Sequence, residues 1–197
     1  MADGNTRTRI IESALRLFAE GGFRGTTIDA IAAGAGLTPR SGALYRHFRS
    51  KREILEAGLE RAVASVEAVH PIIELLPLGD LRAELTLLVR WALQELAAEN
   101  DLWRVLIREG ADFPELVARY RDNVVQRGYT AGADMFERHR SATGQPGLDA
   151  RALAAIGLGA IANYRQIQST LGEPPGGVDE ETFITTWVEL WVRIGGS

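Results

Sequence analysis

The stretch LTPRSGALYRHFRSK, residues 37–51, decides how the first part of this sequence is interpreted. It holds three arginines and one lysine but no acidic residue, although the chain of 197 residues has a formal net charge of −4. Residues 1–52 contain 9 basic and 4 acidic residues, a net charge of +5, and the remainder carries −9. Such an asymmetry indicates a basic module that faces a polyanion. The alternative is that solvated basic residues cluster here by chance. The arrangement of residues within the basic segment has to decide between these two interpretations.

Helical periodicity dominates the whole chain, and no alternating strand pattern is found. The sequence therefore predicts an all-α fold of about nine helices. Expected helix limits include Gly21-Gly22 after the first helix and a capping box from Ser50 to Glu53 before the fourth. The predicted helices cover about residues 7–20, 27–35, a segment after Gly36 that ends near 48, 51–70, 80–100, 102–109, 112–139, 150–171 and 178–194, with a loop at 141–147.

Two short helices joined by a small-residue turn are typical of a helix-turn-helix, whose second helix enters the DNA major groove. If the second helix is regular, Leu37, Leu44 and Phe48 form its buried stripe. The opposite face then has small side chains at its centre and hydrogen-bond donors along both sides. Such a face can lie close to the edges of the bases. A plain amphipathic helix with a solvated basic face is the alternative. The outer face and its flanks comprise Pro39, Arg40, Ser41, Gly42, Ala43, Tyr45, Arg46 and His47.

The segments GFRGTTIDAIAAGAGL and GALYRHFRSKREIL resemble the DNA-binding domain of the TetR family of bacterial transcriptional repressors. The resemblance covers about residues 9–55. Its matching positions are Phe23, Thr26, Thr27, Ile31, Ala32, Ala35, Gly36, Gly42, Leu44, Tyr45, His47, Phe48 and Lys51. Independently, backbone N–H groups at helix starts near Thr27 and Lys51 are natural phosphate sites, because they have no partner within the helix.

The resemblance also implies roles for single residues. Phosphate contacts are expected from Thr27, Tyr45, His47 and Lys51. Contacts with bases or neighbouring backbone are expected from Thr38, Arg40, Ser41, Gly42, Ala43 and Arg46.

One departure from the family pattern lies between Thr38 and Gly42, where two extra residues are present. Either Thr38 caps a recognition helix lengthened by about half a turn, or Ser41 is the cap and residues 38–40 extend the turn. Arg40 is the candidate guanine reader, since arginine can pair bidentately with O6 and N7 of guanine. Its reach into the groove depends on which alternative holds.

The remaining helices are expected to form a ligand-binding and dimerisation body. The resemblance implies a homodimer through the last two helices, and small residues four apart would allow their close approach. Packing of the large side chains within one chain is the alternative. The candidate interface residues are Ala155, Gly159, Asn163, Trp187 and Trp191. The resemblance further implies a small-molecule pocket, with Trp91, Trp103, Phe113, Tyr120, Met135 and Tyr164 as candidate lining residues, although most aromatic residues at helical spacing are core.

Several other function classes are disfavoured. The chain has no cysteine, and neither His70 nor His139 has a second histidine at metal-ligand spacing, so we expect no metal and no cofactor. Nothing at the N-terminus is typical of a signal peptide, and the longest apolar run, 152–162, is too short to span a membrane.

The sequence thus predicts a cytoplasmic, non-enzymatic, homodimeric repressor that a small molecule releases from a pseudo-palindromic operator. Residues 1–52 would bind double-stranded DNA and residues 53–197 the ligand. A helical carrier or enzyme with a vestigial DNA domain, or a transcriptional activator, is the alternative.

Overall fold

The computed structural model describes residues 2–74, 80–143 and 148–195, and every regular element in these ranges is helical. The α-helical segments are α1 (Ala2–Gly21), α2 (Ile28–Gly34), α3 (Lys51–Glu74), α4 (Leu81–Ala98), α5 (Asn100–Glu109), α6 (Pro114–Tyr120), α7 (Gln126–Thr143), α8 (Ala150–Leu171) and α9 (Glu180–Gly195). A π-helical turn at Arg121–Val125 joins α6 to α7, so these ranges contain eight continuous helices. The all-α prediction is confirmed, with one helix fewer than expected.

The missing helix is the second helix of the predicted helix-turn-helix. Leu44–Arg46 form a single 3₁₀ turn, and residues 38–43 are turns and bends. A regular right-handed helix cannot pass through this segment, because φ is +59° at Arg40 and +71° at Gly42. The prediction of a helix reaching back to Thr38 is therefore wrong. Residues 38–40 extend the turn, as the other alternative has it, but Ser41 is not a helix cap, because the 3₁₀ turn begins after Ala43 and has no side-chain cap.

Side-chain hydrogen bonds fix two helix starts where the sequence predicts them. Thr27 is the N-cap of α2, and its hydroxyl accepts the Ala30 N–H at 3.1 Å. Ser50 Oγ accepts the Glu53 N–H at 3.1 Å, while Glu53 Oε2 accepts the Arg49 N–H at 2.6 Å. These bonds satisfy backbone donors that a helix start otherwise leaves without partners.

Two predicted helix ends need correction. The helix α3 continues through residue 70 to Glu74, because a proline removes one N–H donor and can bend a helix without ending it. The helix α7 continues to Thr143, so the predicted loop is wrong for residues 141–143, which contain no helix-breaking residue. The rest of that loop, 144–147, lies outside the described residues.

The chain divides into two compact units that differ from the predicted domain limits. Unit 1 comprises the residues up to Ala64 together with Glu99–Asp122, and unit 2 comprises Ser65–Ala98 and the residues from Asn123 onward. The segment that contains α5 and α6 therefore packs with the N-terminal residues. The functional division at residue 52 stays a prediction, since compactness does not report on which residues bind DNA.

In unit 2, α4, α7, α8 and α9 surround one apolar core. Gly157 allows two indole rings to lie against α8, since a Cβ there would be 3.1 Å from Trp191 Cζ2 and 3.3 Å from Trp187 Cζ2. The Trp187 indole N–H donates to the Gly157 carbonyl at 3.0 Å. The core is formed by Leu85, Val89, Ala92, Leu93, Met135, Ile161, Tyr164, Ile184, Trp187, Val188 and Trp191.

Candidate nucleic-acid interface

The segment between α2 and α3 presents exposed basic and aromatic side chains, because two apolar side chains hold it onto unit 1. Leu44 and Phe48 are 2% and 1% exposed. Tyr45, between them, is 58% exposed, and both Arg46 and Arg49 are exposed as well. The buried pair thus holds the turn in place while the intervening residues face solvent.

Arg7 of α1 holds the C-terminal end of this turn, a role that the sequence pattern does not predict. Its Nη1 donates to the carbonyl of His47 at 3.1 Å, and its guanidinium lies 4.1 Å from the centroid of the Phe48 ring. The half-buried His47 therefore contributes its carbonyl to the protein's own structure. A basic residue one turn before the buried Ile10 is the only signal that the sequence offers for this contact.

Arg40 is held at the start of the segment by Asp29 of α2. Asp29 Oδ1 accepts the Arg40 backbone N–H at 3.1 Å, and Oδ2 accepts from Arg40 Nε at 3.3 Å. The Arg40 side chain remains largely exposed, and its φ of +59° is one that non-glycine residues seldom adopt. The structure therefore places Arg40 in a turn beside α2, and its proposed contact with guanine stays a prediction.

The neighbouring polar residues bond among themselves. Ser41 Oγ donates to the Thr38 carbonyl at 2.6 Å and accepts the Ala43 N–H at 3.3 Å. Thr38, Ser41 and Gly42 are exposed, and Ala43 is half-buried. The segment thus brings all the predicted base-facing residues to one exposed stretch, but in a turn instead of along a helix face.

The two threonines before α2 have different tasks. Thr27 is exposed and caps the helix, so the N–H groups of the first turn lie beside an accessible hydroxyl. Thr26 is buried, and its hydroxyl lies 2.9 Å from the Gly22 carbonyl and 3.1 Å from the Leu17 carbonyl, within donating distance of both. Only Thr27 is therefore placed where a phosphate could reach it.

Lys51, predicted to contact phosphate, is occupied by the protein's own backbone. Its Nζ donates to the carbonyls of Phe23 at 2.5 Å and Thr26 at 2.8 Å, with the Arg24 carbonyl at 3.5 Å. The same ammonium lies 4.7 Å from the centroid of the Phe23 ring. The side chain is half-buried, in contrast to the exposed Arg46 and Arg49.

The loop that precedes α2 is also held by residues far away in sequence. The Phe23 N–H donates to Glu109 Oε1 at 3.1 Å, and the Phe23 ring packs edge-on against Phe113 with centroids 4.8 Å apart. Arg24 pairs with Asp112 at 3.0 Å. Nothing in the local sequence pattern indicates these partners, because α5 and the turn after it contain no motif of their own.

The six candidate ligand-lining residues are divided between the two units. Trp103, Phe113 and Tyr120 belong to unit 1, whereas Trp91, Met135 and Tyr164 belong to unit 2. Each of the six is buried or half-buried. Four of the rings have partners within the chain, since Trp103 and Tyr120 have centroids 5.9 Å apart, Phe113 contacts Phe23, and Tyr164 stacks on Phe183 at 4.2 Å. Their role as pocket lining stays a prediction.

Tyr120 is the titratable group whose environment departs most clearly from water. Burial is the main cause that raises the pKa of its phenol, and the nearby Glu99 carboxylate adds to the effect. The hydroxyl donates to Glu99 Oε2 at 3.2 Å. Such an arrangement stabilises the neutral phenol and provides no base or nucleophile near neutral pH.

A surface pocket of about 310 Å³ lies in unit 2. It is acidic on balance, and none of the six aromatic or methionine candidates contributes to it. Its lining residues are Ala133, Asp134, Glu137, Asp149, Ala150 and Arg151. Among the described residues no group of three potential ligands could hold a metal ion, and no described helix is long and apolar enough to cross a membrane.

The candidate dimer residues separate into two groups. Ala155 and Asn163 of α8 are exposed, and a Cβ at the half-buried Gly159 would meet no other atom within 4 Å. Trp187 and Trp191 are instead buried inside unit 2, and their place in a dimer interface stays a prediction. The alternative of packing within one chain describes these two residues.

Together, the capped α2 and the exposed basic turn that Leu44 and Phe48 hold in place occupy the segment of the predicted helix-turn-helix. Residues 10–57 match the sequence model of the bacterial regulatory proteins of the tetR family. An uncharacterized HTH-type transcriptional regulator of Bacillus subtilis, YvkB, is 28% identical over 112 residues, which cover 57% of this chain and 56% of YvkB. The HTH-type transcriptional regulator UidR of Escherichia coli is 37% identical over 73 residues, or 33% of this chain and 36% of UidR.

The whole chain is also similar to a solved structure. A protein assigned as a transcriptional regulator from Saccharomonospora viridis, in complex with choline, is 25% identical with a TM-score of 0.71, covering 98% of this chain and 97% of that one. By contrast, the matches cover about half or less of the two curated relatives. Residues 10–57 thus match the model of the tetR family, and the chain as a whole is similar to a solved structure of a protein assigned as a transcriptional regulator.

Proposed function

We propose that the protein is a cytoplasmic transcriptional repressor that binds a pseudo-palindromic DNA operator as a homodimer and is released by a small-molecule ligand. The observation that carries this proposal is the exposed turn of unit 1, where Tyr45, Arg46 and Arg49 face solvent next to the capped start of α2. Two such surfaces related by a two-fold axis would contact two half-sites about one helical turn apart.

Electrostatics supports the docking of this face on DNA. Residues 1–52 carry the net charge of +5 within an acidic chain, which concentrates the attraction for phosphates on one segment. Exposed arginines and the α2 N-terminus offer phosphate contacts, which position the protein, and the turn residues 38–43 lie between them in sequence. Base readout would then depend on the turn and on Arg46.

The dimer proposal is supported by apolar surface that α8 and α9 leave uncovered. Ile156 of α8 is 64% exposed and Leu190 of α9 is 52% exposed. Ala155 and Gly159 would allow a second copy to approach α8 closely. Large exposed apolar side chains near small residues are typical of interfaces between copies.

The proposed ligand is a small molecule of unidentified class. The structurally similar Saccharomonospora viridis protein contains choline, which supports a ligand-binding role for the helical body. A ligand would act by favouring a conformation in which the two DNA-binding turns no longer match successive major grooves. The candidate lining residues given above remain candidates.

Selection of genomic DNA fragments by the purified protein, followed by footprinting, tests the proposal directly. We expect one or a few sites with two-fold symmetry and an affinity that decreases with salt. Arg46→Ala should weaken binding and reduce the salt dependence. Binding of small molecules, or their turnover, without any specific DNA site would favour a helical carrier or enzyme instead. Higher reporter expression after deletion of the gene would distinguish repression from activation.

A further inference from the structure

We propose that Lys51 positions the DNA-binding surface and does not itself bind a phosphate. It holds the loop before α2 and thereby sets the place of the α2 N-terminus. Only the expected effect of Lys51 on DNA affinity rests on the proposed function. Its structural part can be tested without DNA.

The first argument is the number of donors that Lys51 has and where they go. A lysine ammonium has three N–H donors and no acceptor. Two of these donors make short contacts, to the carbonyls of Phe23 at 2.5 Å and Thr26 at 2.8 Å. The third donor has the Arg24 carbonyl at 3.5 Å and the Phe23 ring as its neighbours. The ammonium therefore has little capacity left for an external anion.

The second argument is what a phosphate contact would cost. If the ammonium moved to a phosphate, the carbonyls of Phe23 and Thr26 would lose their charged partner in a partly buried place. Hydrogen bonds to charged groups are stronger than those between neutral groups, and a buried acceptor without a partner is unfavourable. Arg46 and Arg49 are exposed nearby in sequence and would meet a phosphate without such a loss.

The third argument is that the loop is held from two sides. Lys51 binds carbonyl groups of the loop, and Glu109 provides the complementary contact by accepting the Phe23 N–H at 3.1 Å. The Glu109 side chain is mostly buried, and the Gly22 Cα lies so close that an added Cβ would be 3.0 Å from its Oε1. Between them, these two residues fix a loop whose next residue, Thr27, caps α2.

A compact ammonium is needed for this role. Three carbonyl oxygens and an aromatic face surround a single nitrogen, whereas a guanidinium is planar and spreads its donors over a wide fork. Lys51→Arg therefore keeps the charge but not the geometry. A phosphate contact would accept either residue. This difference allows positioning to be separated from phosphate binding.

Amide hydrogen exchange of the DNA-free full-length protein tests the structural part. We expect Lys51→Met and Lys51→Arg each to accelerate exchange of the Phe23 and Thr26 amides by about tenfold or more, because the loop loses its charged anchor. Arg49→Ala removes an exposed charge two residues away and is the matched control, for which exchange of these amides should not change. If both lysine variants exchange like the unaltered protein, the proposal is wrong, whether or not the protein binds DNA.

DNA affinity measured at several salt concentrations, with the operator fragment from genomic selection, tests the functional part. The expected result is a tenfold or larger loss of affinity for both Lys51→Met and Lys51→Arg, with an unchanged slope of log K against log salt. A phosphate contact predicts that Lys51→Arg binds normally and that Lys51→Met lowers the slope by about 0.9 for each phosphate that the protein no longer neutralises. That outcome would overturn the proposal. If the unaltered protein selects no DNA, the proposed function fails while the exchange result still stands.

Discussion

Gly34→Ala is a demanding test of how α2 is held, because helix propensity and packing predict opposite signs. Gly34 is the last residue of α2 and faces Ser13 of α1. Ser13 is 4% exposed, and its hydroxyl donates to the Ile31 carbonyl at 3.1 Å. An added Cβ would overlap Ser13 Oγ, lie 3.3 Å from Ser13 Cβ and lie 3.4 Å from Arg16 Nη2.

The magnitude follows from three terms. Alanine is favoured over glycine in a helix by up to about 1 kcal/mol, and less at the last residue. Overpacking of a buried contact costs about 1–3 kcal/mol. Displacement of the Ser13 hydroxyl adds the loss of its hydrogen bond, about 1 kcal/mol. We therefore expect Gly34→Ala to lower the free energy of unfolding by about 1–3 kcal/mol.

Ser13→Ala supplies the control that isolates the overlap. The Ile31 carbonyl keeps a second donor, the Ala35 N–H at 3.0 Å, so Ser13→Ala alone should cost no more than about 1 kcal/mol. With the hydroxyl gone, Gly34→Ala meets the Cβ of residue 13 at 3.3 Å and the flexible end of Arg16 at 3.4 Å, and it should be close to neutral. The double-mutant cycle should then give a coupling of about 2 kcal/mol between the two positions.

Urea unfolding followed by circular dichroism measures the overall effect, and exchange of the Ala35 amide reports on unit 1 separately. The reasoning is refuted if Gly34→Ala stabilises the protein, as helix propensity alone predicts. It is equally refuted if the substitution costs the same with serine or alanine at position 13.

Three further predictions address charge, ionisation and assembly. Arg40→Ala and Asp29→Ala should both weaken operator binding, because the pair holds the turn. Loss of preference at one base pair with Arg40→Ala but not with Asp29→Ala in genomic selection would indicate guanine readout by Arg40. In an absorbance titration of the folded protein, Tyr120 should ionise above the ordinary pKa of a tyrosine. Because its pKa is raised in the folded state, its contribution to stability is present below about pH 10 and is lost as pH rises further. An early Tyr120 transition without unfolding would contradict this. Leu190→Asp should shift the mass measured by light scattering from dimer to monomer while the helical circular dichroism persists, and an unchanged mass would place the interface elsewhere.

The sequence predicts most of the helices because local signals determine them. Gly22, with φ of +82°, follows the last residue of α1, and Thr27 and Ser50 precede their helices as expected. These residues act through neighbours three or four positions away, so a sequence pattern carries the necessary information. The same reasoning correctly identified Leu44 and Phe48 as the buried positions of the DNA-binding turn.

The conformation of residues 38–43 could not be predicted, since it depends on a partner from another helix. Periodicity was compatible with a helix, but Asp29 binds the backbone and side chain of Arg40 in a conformation that a helix does not contain. The positions of Trp187 and Trp191 escaped prediction for a related reason. Their burial depends on the absence of a side chain at Gly157, thirty and more residues earlier, and no local pattern reports on that.

Unit 1 joins two segments that are distant in sequence, and their attachment is mainly apolar. The ion pairs of Arg24 with Asp112 and of Arg52 with Glu115 are solvent-exposed, so each contributes little to stability. Phe113 is buried against the Phe23 ring, and such an aromatic pair adds about 0.5–1.5 kcal/mol beyond the burial of its area. Phe113 therefore contacts Phe23, the residue whose carbonyl accepts from Lys51 and whose N–H donates to Glu109. Any change in residues 99–122 that moves Phe113 must therefore act on the loop before α2, and salt, which weakens only the ion pairs, should leave this connection largely intact.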